Sequence, residues 1–290
     1  MIFWGWRQLI HFCDGDLFRK ALKQKNRSGC LLWRRYLWRT SGESLDPEVR
    51  SFLEEVTEIT SNGHLTPEIS LRLLTPRCRF WKEKASLWPY GDPYWAIYWP
   101  GGQGLSRYIL DNPNIVRNKK VLDIGSGCGA TAIASTMSGA SLVVANDTDP
   151  SKRFPLKSHF IGREDPMRPQ HVSKFQVAGA AMVLNCELNN LNPFPVRTEN
   201  LIGTEMDSWD LIVLGDMFYE DELADGLHQW LKKYAYVHGT KVLIGDPGRP
   251  HFVSHQIQKQ LHKVTEYSLP ESTEDDSYGS TSTIVWQYQP

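Results

Sequence analysis

The feature that most constrains the fold of this chain is a glycine-rich turn between an apolar strand and a helix. The strand, Val121–Ile124, runs into three alternating glycines, Gly125, Gly127 and Gly129, and a helix is predicted over Ala130–Met137. Because glycine adopts positive φ at little steric cost, the backbone can turn sharply there and approach a ligand closely. The pattern is typical of a parallel α/β sheet, which binds ligands where its strands end and its helices begin.

The chain alternates short strands and helices over residues 119–290, the predicted main domain. Continuous apolar runs are expected when helices cover both faces of a parallel sheet. They predict strands at Leu142–Asn146, Asp210–Leu214 and Val242–Ile244, a weaker one near Val196–Glu199, and a helix through Leu223–Leu231. Two final runs, Val264–Ser268 and Ile284–Tyr288, predict an antiparallel hairpin at the sheet edge. The predicted fold is α/β, a Rossmann-like sheet of seven strands with helices on both faces.

Residues 41–118 precede this domain and are predicted to hold accessory helices and an aromatic segment. The Asp46-Pro47 pair opens a helix as its cap and first residue. Residues 65–79 could form either a strand or a helix. The aromatic run Tyr94–Trp99 ends at a Pro-Gly-Gly turn and leads into a further helix.

The first forty residues carry nine basic side chains against two acidic ones, with four tryptophans interleaved. An arginine-rich, acid-poor and amphipathic segment is typical of an organellar presequence. The alternative is a basic amphipathic helix that binds a partner or a membrane surface. We therefore interpret residues 1–40 as a presequence.

Residues 151–176 interrupt the alternation of strands and helices. They carry six basic residues, two acidic residues and three prolines, without an apolar period. A structureless segment of this length is unusual inside a compact domain, and the helix predicted near Val177 should follow Asp149-Pro150 directly. The segment is predicted to be a disordered surface insertion.

Bulk composition excludes several functions. The 290 residues have a formal net charge of -1, which gives no overall field for holding nucleic acid. No run approaches the roughly 18 apolar residues of a membrane span. The five cysteines have no paired spacing and the nine histidines form no HExxH pattern, so neither a disulfide framework nor a metal site is predicted. None of these features predicts an oligomeric state.

Two acidic residues flank the glycine turn. Asp147 ends the second strand, 22 positions after Gly125, where its carboxylate can accept both ribose hydroxyls of an adenosyl group. Gly125-x-Gly127-x-x-Ala130 also fits the fingerprint of dinucleotide-dependent oxidoreductases, which remain the alternative. Asp123 argues against them, because it could meet the amino group of a methionine moiety but would repel a pyrophosphate. The terminal hairpin also suits a methyltransferase sheet, so S-adenosylmethionine is the predicted cofactor.

The segment Gly215-Asp216-Met217-Phe218-Tyr219 ends the fourth strand beside this site. A lysine nucleophile must be neutral, yet with a pKa of about 10.4 only about one amine in a few thousand is neutral at pH 7. Asp216 can hold the arriving ammonium, while Phe218 and Tyr219 can pack against its methylene stem. These three are the candidate catalytic residues. The alternatives are a helix N-cap for Asp216, core positions for the two aromatic residues, and a binding module without turnover.

Two further segments keep alternative interpretations. Trp99 could cover the cofactor, or the run Tyr94–Trp99 could pack against the sheet edge. Asp246–Arg249, after the fifth strand, could line the substrate mouth or form a plain turn.

Five segments, PYWAIYWPGG, VLDIGSGCGATAIA, ANDTDP, WDLIVLGDMFY and VLIGDPGRP, together resemble the seven-strand protein-lysine methyltransferases. Within that family they look like the mitochondrial enzymes that modify the beta subunit of electron transfer flavoprotein. The likeness covers residues 45–150 and 177–290, and the basic insertion between them departs from it. Asparagine, glutamine and nucleobase methyltransferases carry Asn-Pro-Pro-Tyr in place of residues 216–219, so the resemblance disfavours amide and base substrates.

The resemblance implies a protein substrate, the beta subunit of that flavoprotein, and a location in the mitochondrial matrix. It also implies a cofactor contact at Trp99, a backbone contact near Gly215 and a substrate-facing segment from Asp216 to Tyr219. The candidate cofactor-binding residues are Trp99, Asp123, Gly125, Ser126, Gly127, Asp147 and Gly215.

Overall fold

The computed structural model describes residues 45–82, 93–148, 177–205, 208–271 and 279–290. The presequence predicted at residues 1–40 and the insertion predicted at residues 151–176 lie outside the described residues. Both therefore stay predictions.

The strands are β1 (Glu58–Thr60), β2 (Leu71–Leu73), β3 (Lys120–Ile124), β4 (Leu142–Asn146), β5 (Val196–Arg197), β6 (Leu211–Gly215), β7 (Lys241–Asp246), β8 (Leu261–Ser268) and β9 (Ser282–Tyr288). The helices are α1 (Pro47–Val56), α2 (Pro100–Asp111), α3 (Ala130–Met137), α4 (Val177–Leu188), α5 (Asp221–His238) and α6 (Pro250–Ser254). Short 3-10 helices cover Arg79–Lys82, Tyr94–Ala96, Pro113–Ile115 and Gln256–Gln260.

Seven strands form the central sheet in the order β5-β4-β3-β6-β7-β9-β8. The first five are parallel, and β9 is antiparallel to both β7 and β8. The predicted seven-strand sheet and its terminal hairpin are therefore confirmed. The chain starts in the middle at β3, runs outward to β5 and returns to β6 on the other side. Ligands bind beyond the carboxyl ends of the strands at such a reversal of strand order.

The alternation of side chains along the strands explains why helices cover both faces of the sheet. Val121 and Val213 face one hydrophobic core, to which α2, α3 and α4 contribute. Their neighbours Leu122 and Leu214 face a second core, to which α5 and α6 contribute. Because successive strand residues point to opposite faces, a continuous apolar run supplies both cores at once.

The accessory segment before the sheet is attached to α4. The predicted helix start is confirmed, since the Asp46 carboxylate accepts the Glu48 amide at 2.8 Å as the N-cap of α1. The open choice over residues 65–79 is resolved as the short strand β2, antiparallel to β1. In α4, Asn185 accepts the Arg72 amide of β2 at 2.8 Å. The accessory segment thereby buttresses the sheet from the side of the first core.

The described ranges contain neither a candidate membrane-spanning helix nor a candidate metal site. No helix in this part of the chain is long and apolar enough to cross a membrane. No group of three or more histidine, cysteine, aspartate or glutamate side chains among these residues could hold a metal ion.

Candidate functional site

A pocket lies at the carboxyl ends of β3 and β6, beside the first turns of α2 and α3. Seven of the predicted site residues line it, namely Trp99, Asp123, Gly125, Ser126, Gly127, Gly215 and Asp216. The tertiary structure therefore brings together residues from three separate sequence motifs at the point where the strand order reverses.

The glycine turn is fixed against the neighbouring strand β4. Gly125 and Gly127 have φ values of 67° and 50°, which a residue with a side chain rarely adopts. The Ser126 amide donates to the Asn146 carbonyl at 2.9 Å, and the Gly127 amide donates to the Asp147 carboxylate at 2.8 Å. The turn and the acid predicted to bind ribose are therefore adjacent, although the ribose contact itself stays a prediction.

Asp123 carries a buried carboxylate and is one of the residues that line this pocket. The residue is 2% exposed. Among the described residues, its Oδ2 atom has no hydrogen-bond partner. Burial is the main cause that raises the pKa of Asp123 to about 7; the nearby charge of Asp147 adds to the rise, while hydrogen bonding with Ser126 and the Ala132 backbone opposes it. Because a buried carboxylate oxygen without a donor is costly, the Oδ2 position suits an incoming cation such as the amino group of S-adenosylmethionine. The residues present thus fit the predicted cofactor.

Asp216 holds a strained backbone conformation at the opposite side of the pocket. Its φ of 59° is uncommon for any residue other than glycine. The conformation is held by the Asp216 amide, which donates to the Gly245 carbonyl at 2.9 Å. Glu220 occupies the N-cap position of α5, so the N-cap alternative for Asp216 is wrong.

Both carboxylate oxygens of Asp216 accept hydrogen bonds. Oδ2 accepts the Gly102 amide at 3.1 Å, and Oδ1 accepts Nη2 and Nε of Arg249 at 2.8 and 3.2 Å. Burial raises the pKa of Asp216, while the charge of Arg249 and these hydrogen bonds oppose the rise. Asp216 therefore already holds a cation.

The Pro-Gly-Gly segment allows α2 to lie directly on the ends of β6 and β7. A Cβ atom on Gly101 would overlap the Gly245 carbonyl oxygen, and one on Gly215 would lie 2.6 Å from the Gly102 amide nitrogen. The segment is the first turn of α2 rather than the separate turn predicted. Its role in bringing the Gly102 amide to Asp216 was missed, because a sequence pattern does not show which backbones approach each other.

Trp99 lines the pocket, and Arg249 packs against its ring. The Trp99 indole donates to the Tyr94 carbonyl at 3.0 Å, and the Arg249 guanidinium carbon lies 5.2 Å from the centre of the indole ring. Asp246 accepts the Gly248 and Arg249 amides at 2.7 and 2.8 Å, which folds the chain into a turn. Asp246–Arg249 is therefore a turn, and the turn brings the Arg249 guanidinium to Asp216 and Trp99, an arrangement that the sequence alone left open.

Phe218 does not lie where the sequence placed it, whereas the predicted substrate contact of Tyr219 stays a prediction. Phe218 is 0% exposed and packs in the second core against Phe252 and His255 at ring distances of 5.2 and 5.7 Å. The predicted contact between Phe218 and a lysine stem is wrong, because the ring is packed inside the second core. Tyr219 is 55% exposed, and Asp147 contributes, after burial, to raising its pKa. Tyr219 therefore lies within electrostatic reach of the predicted ribose-binding side.

Asn185 is a supporting residue that the sequence analysis missed. This fully buried side chain donates to the Cys128 carbonyl at 2.8 Å and accepts the Arg72 amide. It thereby connects the glycine turn to the accessory strand β2. A lone asparagine within the small-residue run of α4 was the only signal, and nothing local indicated its partners.

No family model matches the chain. The electron transfer flavoprotein beta subunit lysine methyltransferase of Homo sapiens is 56% identical over 288 residues, which cover 99% of this chain and 98% of that protein. The corresponding protein of Danio rerio is 50% identical over 270 residues, 93% of each chain. The chain belongs to this family. The homolog in Caenorhabditis elegans is more distant, at 36% identity over 79% of this chain and 91% of that protein.

Membership in this family decides between the enzyme classes that the glycine motif left open. The chain is an S-adenosylmethionine-dependent protein-lysine methyltransferase, and the dinucleotide-dependent oxidoreductase is not supported. The buried carboxylate of Asp123, whose Oδ2 has no partner among the described residues, agrees with this result, since it suits an amino group and opposes a pyrophosphate.

Proposed function

We propose that this enzyme methylates lysine side chains of the beta subunit of electron transfer flavoprotein in the mitochondrial matrix. The printed names of its relatives support the substrate. The basic, acid-poor pattern of residues 1–40 supports the location. The observation that carries the chemistry is the buried Asp216 carboxylate, which already holds a cation at the pocket wall.

Residues on the β3 and β4 side would hold the cofactor. The Asp123 carboxylate would take the amino group, the glycine turn would pass close to the ligand, and Asp147 would accept the ribose hydroxyls. When bound there, S-adenosylmethionine supplies an electrophilic methyl group next to a positive sulfur.

Residues at the end of β6 would bind and orient the substrate lysine. Asp216 is fixed by its backbone and by the Gly102 amide, so it can bind an ammonium in one orientation. Its 7% exposure means that a bound amine would lose most of its water. The uncharged amine is the nucleophile, so the bound ammonium must first release one proton to water, which its loss of solvation favours. The pocket would then hold the nitrogen in line with the methyl group. The chain forms no covalent intermediate for this step.

The substrate assignment is tested with the purified chain, intact electron transfer flavoprotein and S-adenosylmethionine. We expect mass spectrometry of tryptic peptides to show methyl groups on lysines of the beta subunit and none on the alpha subunit. The proposed substrate is wrong if the beta subunit stays unmodified while calorimetry shows that the same preparation binds S-adenosylhomocysteine.

The location is tested separately. Residues 1–40 fused to a fluorescent protein should be imported into mitochondria and shortened on arrival. A matched fusion in which the nine basic residues are replaced by glutamine should stay in the cytosol. Equal distribution of the two fusions would contradict the presequence.

A further inference from the structure

The Asp216 carboxylate and the Trp99 ring form a small site for a cation, and Arg249 fills it. The guanidinium donates two hydrogen bonds to Oδ1 of Asp216, at 2.8 and 3.2 Å. Its carbon lies 5.2 Å from the centre of the Trp99 ring. A carboxylate and an aromatic face are also the groups that bind a lysine ammonium.

Oδ1 is the oxygen of this carboxylate that pairs with a cation, whereas Oδ2 is bound by the backbone. Oδ2 accepts the Gly102 amide at 3.1 Å, and the fixed backbone of α2 supplies that donor. Oδ1 carries both bonds from Arg249. A lysine head and the guanidinium therefore compete for the same atom and the same aromatic face.

The two partners differ in how firmly the protein holds them. The Asp216 backbone is fixed by its hydrogen bond to Gly245. The Arg249 side chain is 22% exposed and extends from a turn at the surface. Of the two, the arginine side chain is the one that can move without changing the backbone.

We infer that Arg249 determines specificity: its guanidinium occupies the lysine-head site of Asp216 and Trp99 until a substrate ammonium displaces it. This inference rests on the proposed lysine-methylating function of the site. The buried carboxylate then has a counter-charge at every stage, which avoids the cost of leaving it unpaired. A neutral glutamine or asparagine side chain gains too little at Oδ1 to break a charge-assisted pair, so the site selects cationic side chains.

The competing explanation is that Arg249 stays in place during the reaction and only orients Asp216. The two explanations predict opposite effects when the guanidinium is removed. Displacement predicts that a lysine head binds more tightly without Arg249, whereas a permanent orienting role predicts weaker binding or slower transfer.

The first experiment measures binding without turnover. Full-length wild type, Arg249→Gln and the control Arg77→Gln are saturated with S-adenosylhomocysteine and titrated with n-butylammonium, a lysine-head analogue, while the melting temperature is followed. Arg77 is a suitable control because its side chain is 77% exposed and pairs with Glu58 outside the pocket. The titration is run at pH 8.5 to keep Asp216 ionised, since burial raises its pKa and the variant lacks the opposing charge.

Arg249→Gln should bind n-butylammonium about tenfold more tightly than wild type, because a charge-assisted competitor has been removed. Arg77→Gln should match wild type. Equal or weaker binding by Arg249→Gln would overturn the inference. Arg249→Lys, which restores a cation, should return the affinity toward the wild-type value, and this variant serves as the reference if Arg249→Gln is unstable.

The second experiment uses the guanidinium ion in the methyl-transfer assay of Arg249→Gln. Displacement predicts competitive inhibition, with a raised KM for the flavoprotein and an unchanged kcat. Rescue, seen as a raised kcat, would show that the guanidinium is needed during transfer and would reject the inference. If wild type does not methylate the flavoprotein at all, the proposed substrate fails, while the n-butylammonium titration still decides the role of Arg249.

Discussion

Two buried carboxylates, Asp123 and Asp216, end the neighbouring strands β3 and β6 but are satisfied differently. Both are nearly inaccessible, at 2% and 7% exposure, and burial raises the pKa of each. Asp216 has hydrogen bonds on both oxygens, one set from Arg249. Asp123 has an Oδ2 atom without a partner among the described residues. The carboxylate on the β6 side is therefore paired within the protein, whereas the carboxylate on the β3 side has one oxygen available for a ligand.

This difference corresponds to the two ligands that the pocket would bind, the cofactor and the substrate lysine. A buried carboxylate needs a donor or a counter-charge to remain ionised. On the cofactor side, the amino group of the cofactor would supply the donor for Asp123. The substrate side meets it with Arg249, so the Asp216 carboxylate is paired before a protein substrate binds.

Removing the charge of Asp216 should have the largest effect on activity. Asp216→Asn keeps the shape, and asparagine tolerates positive φ better than most residues. We expect kcat/KM for the protein substrate to fall by about 10²- to 10³-fold, the usual cost of losing a group that positions the reacting atoms. Affinity for S-adenosylhomocysteine, measured by calorimetry, should stay within about twofold. Activity near that of wild type would show that the Asp216 carboxylate is not needed to position the substrate lysine.

A side chain at Gly101 should break the contact that carries the Gly102 amide to Asp216. We expect Gly101→Ala to lower the free energy of unfolding by about 3 kcal/mol, because the added Cβ overlaps backbone atoms of Gly245. Gly102→Ala is a matched control one residue away, since its Cβ would meet neighbours at 3.7 Å or more. Its unfolding free energy should change by less than about 1 kcal/mol. Urea unfolding that gives the same result for both variants would contradict this account.

Neutralising Asp123 should affect the open side of the pocket alone. Asp123→Asn should weaken S-adenosylmethionine binding about 30-fold, which corresponds to about 2 kcal/mol for a charge-assisted hydrogen bond. Calorimetry on this variant and on Asp216→Asn should show a loss of cofactor affinity in the first and not in the second. An unchanged affinity in Asp123→Asn would mean that the cofactor's amino group does not depend on Asp123, and an equal loss in both variants would mean that the effect is not specific to Asp123.

The smallest expected effect is a pH dependence of cofactor binding. Because burial raises the pKa of Asp123 to about 7, the carboxylate is mostly protonated below that pH and cannot pair with an ammonium. The affinity should therefore fall as pH decreases below 7, by at most about tenfold per pH unit. The same titration on Asp123→Asn should be flat from pH 5 to about pH 7, where the cofactor's own amino group stays charged. A wild-type profile that is also flat there would rule out titration of this carboxylate.

Helices and strands were predicted well where an apolar run and its flanking residues define them. Helix α3 and strand β4 have the predicted limits, Ala130–Met137 and Leu142–Asn146, because apolar runs and flanking glycines define them. The same reasoning failed at Phe218, where aromatic character suggested a substrate contact and packing placed the ring in the core. It also left residues 65–79 undecided, since a strand of three residues depends on the partner that pairs with it.

The strands, the glycine turn and the acids that follow the strands can be predicted from the sequence, because each depends on residues adjacent in the chain. The pairing of Asp216 with Arg249, 33 positions away, and the missing donor at Oδ2 of Asp123 among the described residues follow only from how the elements pack. The reason is physical: the backbone conformation of a turn is set by its own residues, whereas the partner of a buried charge is set by which elements pack around it.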